Sequence, residues 1–496
     1  MEQHIEDLIA HEINQNVIKK RDYVYVKNQL YHLLNLTVKE IQLKPREIKM
    51  PSDALNPLLD LLQANGTVEK TVVARDLFDS KIMNIFASLP STIESRFNRL
   101  KYPSSAKATT WLYRYASSLN YIRHDRIAKN ISFEAPSLYG TLQITINLSK
   151  PEKDPRSIIL QGSQKSTAYP KCVLCAENEG FPGNYSRDSR DQHRLIGVNL
   201  NKETWFFQYS PYSYYNEHAI VLSKDHRPMV INDKTFKNLL DLTDTFDDYF
   251  FGSNADLPIV GGSILSHDHY QGGKHVFPIQ NAKISKTWHL DDMTIESLIW
   301  PLSTIRLISK DKNTLVKQAT RLLSYWIGYQ NEALDIMAYT DNTRHNTITP
   351  IARKHQDTYE LDLILRNNRT TDAYPLGIFH PHEDRWHIKK ENIGLIEAAG
   401  LAVLPARLLK ELADLKQYIL NGTPLSEDGL KHKAWLDTVL KKHKAITATT
   451  IDDILNHEVG NVFEAVLKDC GVFKKDELLN QFIEGMLNEN LFTTTI

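Results

Sequence analysis

The chain has 496 residues, with 59 Lys plus Arg against 60 Asp plus Glu, so its formal net charge is −1. At 42 % hydrophobic and 24 % charged it has the make-up of a soluble globular protein, and its neutrality speaks against a nucleic-acid coat or a polybasic membrane anchor. Three cysteines cannot staple this length, no apolar run approaches the ~18 residues of a membrane span, and the first twenty residues show no signal-peptide pattern, so a cytoplasmic protein of about three domains is expected.

Residues 1 to about 135 read as mostly helical: Ile5, Leu8, Ile9, Ile13 and Val17 fall at helical spacing, and Thr110 to Lys129 continues the pattern. The first clean strand is Leu142–Leu148, where Leu142, Ile144, Ile146 and Leu148 alternate with polar residues. From there to about residue 400 short β-rich runs follow, among them Thr204–Tyr209, His218–Leu222 and Tyr359–Leu365, punctuated by Gly, Pro, Asn and Asp. Leu404, Leu408, Leu409, Leu412, Leu415 and Ile419 return to helical spacing, and the tail reads as helices separated by turns. The expectation is an α+β centre flanked by helical ends, with no solenoid repeat.

Histidine is the one unusual count. Ten of the 19 fall in two windows, His218 to His275 and His345 to His387, which together make up about a fifth of the chain. Imidazole is a ligand, nucleophile and proton carrier near neutral pH, so the windows direct attention to metal or phosphoryl chemistry.

In the first window, Gly261-Gly262-Ser263 leads to His267-Asp268-His269-Tyr270-Gln271-Gly272-Gly273. In an extended segment His267, His269 and Gln271 share one face. Flanking glycines let backbone approach a ligand, and their N–H groups can hold phosphate oxygens. A neutral imidazole can attack phosphorus, and a nearby amide can steady the phosphoryl oxygens. Cys172-Val173-Leu174-Cys175 is either a metal knuckle or a redox dithiol; the Pro170-Lys171 lead-in and the glycine-rich loop after it favour a knuckle. His226 follows a strand and, taken alone, reads as a surface turn residue. Arg353, Arg385, Lys389 and Lys390 could clamp an anion, or could simply be solvated charges.

Taken in order, Tyr169–Cys175, Asn216–Leu222, Ser263–Gly273, His345–Lys354 and Lys389–Gly400 resemble the galactose-1-phosphate uridylyltransferases, specifically their second, Gram-positive-type class (UDP-glucose–hexose-1-phosphate uridylyltransferases), over essentially the whole chain. That family is similar to the histidine-triad nucleotide-binding proteins. The resemblance therefore implies an α+β fold with a histidine-triad-like antiparallel-sheet core in two related halves, 136–295 and 296–400, between helical regions 1–135 and 401–496. It implies a nucleotidyltransferase that takes UDP-glucose and galactose 1-phosphate, works by a ping-pong route and suggests a homodimer. His269 would be the nucleophile and Gln271 the residue steadying the phosphoryl group. Gly262 and Ser263 would contact phosphate, and Lys390 and Arg353 would lie on the hexose-phosphate side. By likeness to the first class, Cys172, Cys175, His226 and His267 would hold a structural zinc.

Two departures from the first class are visible. Asp268 stands where that class has proline, and Leu361–Arg366 lacks the histidines of a second metal site, which is expected to be absent. Uracil contacts are expected on the Trp205–Pro211 stretch, with no residue assigned. The competing readings are a dinucleotide phosphorylase or nucleotide hydrolase of the same superfamily, distinguished by its acceptor, and a zinc-stabilised nucleotide-sugar-binding protein without catalysis.

Overall fold

The computed structural model describes residues 1–37, 43–149, 169–290 and 292–489. The chain divides into two compact units, Met1–Lys129 with Ser149–Arg227, and Asn130–Leu148 with Pro228–Ile496.

The first unit opens with helices α1 (Glu2–Asn14), α2 (Tyr23–Leu33), α3 (Ser52–Ala64), α4 (Val72–Asn84), α5 (Pro90–Lys101), α6 (Ser105–Ser118) and α7 (His124–Ile127). The hairpin β1 (Ile131–Ser137) and β2 (Gly140–Ile146), which belongs to the second unit, comes next in the chain. The first unit then resumes with β3 (Ile196–Leu200), β4 (Glu203–Tyr209) and β5 (Ala219–Ser223), antiparallel in that order. In α1 the expected apolar stripe is present, with Ile5, Leu8 and Ile9 fully buried. The helix ends earlier than the periodicity suggests: Asn16 takes φ 58° and the Val17 amide turns back onto the Glu12 carbonyl at 3.0 Å. Asparagine tolerates this left-handed conformation, which closes a helix. The same device breaks the continuous helix expected over Thr110–Lys129. Asn120, at φ 50°, follows α6, and its side-chain amide donates to Asp79 Oδ2 at 2.9 Å. Arg123 and Arg126 then reach back to Asp76 on α4 and fasten α7.

The second unit contains helix Asp233–Thr245, β6 (Phe250–Gly252), β7 (His269–Gly273), β8 (Lys283–Leu290), β9 (Met293–Ile299), β10 (Thr304–Ser309) and helix Lys312–Gly328. After them come the small ribbon β11 (Tyr339–Thr340) and β12 (Thr343–Arg344), then β13 (Asn346–His355), β14 (Thr358–Asn367) and β15 (Leu401–Leu404). Seven of these strands form an antiparallel run in the order β7-β6-β13-β14-β10-β9-β8. β13 is buried continuously from Asn346 to Arg353, the mark of a strand covered on both faces. Helices Asp233–Thr245 and Lys312–Gly328 pack against it. Each starts on a side-chain cap, Asn232 accepting from the Thr235 amide and Asp311 from the Asn313 and Thr314 amides. Trp326 anchors this layer, fully buried, with its indole N–H donating to the Thr347 carbonyl at 2.9 Å.

A second, mixed sheet runs β1-β2-β15, with β15 parallel to β2. Leu142, Ile144 and Ile146 supply its buried face, as their alternation predicts. Helices Arg407–Asn421, Glu427–Leu430, Lys433–Lys442, Ile451–Cys470 and Asp476–Asn488 complete the unit. Gly460 lets the fourth of these lie against β1, since a Cβ there would come within 2.2 Å of Ala135 Cβ. The α+β class, the antiparallel sheet and the helical ends expected from the sequence are all present.

Candidate active site and metal centre

The Cys172–Cys175 segment folds as a tight knuckle. The Asn178 amide spans it, donating to the Cys172 and Cys175 carbonyls at 2.8 Å each. The Leu174 amide donates to Cys172 Sγ at 3.4 Å. The two sulfurs stand 3.6 Å apart as free thiols, and Cys175 Sγ is 3.2 Å from His226 Nδ1. His226 is held just past β5 by its neighbours: Ser223 Oγ donates to the Asp225 carbonyl, and Arg227 pairs with Glu203 while lying 5.5 Å over the Trp205 ring. Burial, together with the facing Cys175 thiol, pushes the Cys172 thiol above its ordinary value. Two soft sulfurs and an imidazole this close are a donor set that suits a divalent metal. The first unit thus contains a Cys/His cluster that could hold a metal ion, its ligand atoms within 4.8 Å of one another. No helix among the described residues is long and apolar enough to cross a membrane.

In the second unit, the His-Asp-His-Tyr-Gln stretch enters β7. His267 is completely buried and His269 nearly so. His269 begins the strand, and Gln271 stands opposite Gly252 on β6. Alternation puts His269 and Gln271 on one face, while Tyr270 is buried and its hydroxyl accepts from Asn238 at 3.1 Å. His269 Nδ1 lies 2.8 Å from the His267 carbonyl. A carbonyl only accepts, so Nδ1 carries the proton and Nε2 keeps the lone pair. Burial lowers the His269 pKa to about 4, the His267 carbonyl opposing in part. At neutral pH the ring is uncharged, with Nδ1 anchored and Nε2 unprotonated.

The glycines here have packing reasons of their own. A Cβ on Gly272 would fall 2.4 Å from the Phe251 ring, and one on Gly262 would fall 2.5 Å from the Asn254 amide. Ser263 is exposed beside them. Asn254 had no motif to announce it. It is buried, and its carbonyl oxygen accepts from the Leu395 amide at 2.8 Å, tying the Gly261–Ser263 loop to helix Leu395–Ala398 across 141 residues of chain.

The cationic residues separate. Lys390 is exposed and lies 4.6 Å over the Trp386 ring. Lys389 is buried on Glu397 at 3.0 Å and the Val403 carbonyl at 3.2 Å. Arg353, expected on the hexose-phosphate side, is 3 % exposed, and its guanidinium faces Asp362 at 2.5 Å and Glu360 at 3.3 Å. Arg306 grips the same Asp362 with two bonds of 2.6 and 3.1 Å. Burial works against ionisation of Asp362, yet the two arginines hold its carboxyl below the usual range. Sequence patterning did not reveal this cluster, because each member reads as an ordinary charge in a strand.

The second unit thus holds a neutral imidazole with one nitrogen anchored, on the same strand face as an amide. The comparisons with known proteins supply the class. Residues 16–228 match the family model of the galactose-1-phosphate uridyl transferase N-terminal domain, and residues 242–437 match that of its C-terminal domain. The galactose-1-phosphate uridylyltransferase of Clostridium perfringens (strain 13 / Type A) is 47 % identical over 499 residues, covering 99 % of this chain and 98 % of that one. That of Clostridium acetobutylicum is 49 % identical over 484 residues, covering 95 % and 96 %. Among solved structures, the yeast Ap4A phosphorylase Apa2 overlaps with a TM-score of 0.32 at 10 % identity, over 60 % of this chain and 90 % of that one, too loosely to bear on fold or activity. The chain belongs to the galactose-1-phosphate uridyl transferase family.

Proposed function

We propose that the protein exchanges a uridylyl group between UDP-glucose and galactose 1-phosphate by a ping-pong route through His269. The observation that carries this reading is the His269 ring itself: buried, neutral, with its Nδ1 proton committed to the His267 carbonyl. The Nε2 lone pair attacks the phosphorus next to uridine, and the bond from that phosphorus to the bridging oxygen breaks. Glucose 1-phosphate leaves with the electron pair, and the uridylyl group stays on Nε2. A phosphate oxygen of galactose 1-phosphate then attacks the same phosphorus, the P–N bond breaks, and UDP-galactose leaves with the imidazole restored. Gln271, on the same face of β7, donates its amide to the phosphoryl oxygens as their charge shifts. Gly262 and Ser263 contact phosphate through backbone and hydroxyl, and Lys390, exposed beside Trp386, meets the sugar phosphate. Arg353 serves from inside the sheet, holding β13 to β14 through Asp362.

We further propose a structural zinc on Cys172, Cys175, His226 and His267. Two thiolates and two imidazoles would close a tetrahedral shell, the set that the family resemblance implies. Fixing the His267 backbone steadies the carbonyl that orients His269. Three free cysteines fit a reducing compartment, the cytoplasm. A homodimer, suggested by the family, is to be measured by sedimentation.

The test uses UDP-glucose labelled on the phosphate next to uridine. Label should remain on the protein as an acid-labile, base-stable adduct, and should be missing from His269→Ala. An unlabelled wild type, or a labelled His269→Ala, overturns the reading. Release of glucose 1-phosphate well beyond one equivalent per active site with inorganic phosphate or water, and no hexose phosphate, would favour the phosphorylase or hydrolase reading instead.

A further inference from the structure

The Trp386–Glu391 segment, which carries Lys390, is fastened to the C-terminal helices by a chain of hydrogen bonds. His387 Nδ1 lies 2.9 Å from His432 Nδ1, and His432 Nε2 lies 2.9 Å from Glu411 Oε2. His432 is completely buried and Glu411 is 2 % exposed. Arg407 donates to Glu411 at 2.6 Å and to the His387 carbonyl at 3.0 Å, and Lys431 also pairs with Glu411. The Trp435 ring covers the pair, 5.3 Å from His387.

The proton count follows from the acceptors. A carboxylate accepts, so His432 Nε2 donates. The neutral His432 ring then offers Nδ1 as an acceptor, and His387 Nδ1–H donates to it. A first added proton creates a cation among Arg385, Arg407 and Lys431, with Glu411 as the carboxylate on the pair. Asp384 and Asp469 are turned to Arg385, and Asp428 to Lys431. A second added proton sets two N–H groups face to face at 2.9 Å, where no hydrogen bond can exist.

We propose that the His387–His432 pair, seated on Glu411, is a proton-sensitive latch that holds the Trp386–Glu391 segment and so positions Lys390 for the sugar phosphate. The role of Lys390 rests on the function proposed above; the latch itself does not. Burial lowers the His387 pKa to about 3, with His432, Arg407 and Arg385 adding to it, and burial lowers that of His432 as well. In the released segment the His387 ring regains an ordinary pKa of about 6.5. Protons therefore bind the open form preferentially. The latch is tight above pH 6.5, and opening gains about tenfold for each pH unit below it as His387 titrates.

Hydrogen–deuterium exchange tests this without substrate. The Ile388 and Lys389 amides both donate to the Arg385 carbonyl at 2.9 Å and report the segment. After correction for intrinsic rates, their exchange at pH 5 should exceed that at pH 8 by about 30-fold as His387 titrates. His387→Gln keeps a hydrogen-bonding side chain but cannot titrate, and should lose that factor. Equal pH dependence in both proteins overturns the latch, as does wild-type exchange in this segment that rises no more than in β14. The β14 comparison needs the wild type alone, so it decides even if the variant does not fold. A KM for galactose 1-phosphate that rises with acidification no more in wild type than in His387→Gln, at constant dianion concentration, overturns the positioning of Lys390. A protein with no transferase activity fails the function above, while exchange still judges the latch.

Discussion

The two histidine windows have opposite fates. In the first, His226 faces a thiol and His269 keeps Nε2 unprotonated, so both rings hold a lone pair suited to chemistry. In the second, four of the five rings are engaged within the fold, His355 being exposed. His345 is bound at both nitrogens, by Asn368 at 2.9 Å and Thr340 at 2.8 Å. His380 sits between the Pro381 carbonyl and Asn392, and His382 is bound to the Ile378 carbonyl at 3.0 Å. His387 is bound to His432. An imidazole becomes a reagent when one nitrogen is anchored and the other is left over; anchored at both, it is a strut.

The sharpest way to break this comparison is to remove one ring from each window. His269→Ala should lower turnover by about 10^4-fold or more, as expected for deleting a nucleophile, with the urea midpoint little changed. His345→Ala should leave turnover within a few-fold but lower stability by about 1–3 kcal/mol, because it strands the buried Asn368 side chain and empties a buried site. If His345→Ala lost turnover with its stability intact, the division between the windows would be wrong. The next effect in size is the knuckle. Cys172→Ser should lose bound zinc by elemental analysis and unfold at lower temperature, since a structural metal site contributes its binding energy to folding. Full activity in a metal-free wild type would remove zinc from the account.

An imidazole outside both windows gives the pH control. His193 is buried, stacked 4.3 Å from Tyr121 and bound to Gln208 at 2.7 Å. Burial, with the Arg190 charge adding, lowers its pKa to about 3. The unfolded chain takes up the proton near pH 6.5 while the folded one does not. His193 therefore contributes its full stability above pH 6.5 and loses it progressively as pH falls toward 3. From pH 7 to pH 5 the wild type should lose about 2 kcal/mol that His193→Gln does not. Parallel denaturation curves for the two proteins at both pH values would show that this ring does not behave as a strut.

The fate of a ring was only partly legible in the sequence. The alternation of His267, His269 and Gln271 placed His269 and Gln271 on one face, and the C-x-x-C spacing brought two thiols together. Those are local relations, and local patterns carry them. Arg353 looked the same in sequence as Lys390, yet one is locked on Asp362 and the other is exposed, because strand register between β13, β14 and β10 sets the difference. The ends of α1 and the break at Asn120 turned on single left-handed asparagines, which helical periodicity does not register. Asn254 and His432 owe their importance to contacts far along the chain, and only the folded arrangement shows them.

The smallest test lies within His345. If Nδ1–H donates to Asn368 Oδ1, then Nε2 must accept from the Thr340 hydroxyl. Thr340→Val removes that donor without changing the side chain's shape. Thr340 is exposed, so water can replace the lost hydroxyl at Nε2. The cost should therefore be about 0.5–1 kcal/mol, at the low end for a single hydrogen bond. Turnover should not change. Replacing the other partner, Asn368→Leu, should cost more, because the Asn368 contact is buried and no water can take its place. A larger loss from Thr340→Val than from Asn368→Leu would show that the exposed hydroxyl, and not the buried amide, is the main anchor of the ring.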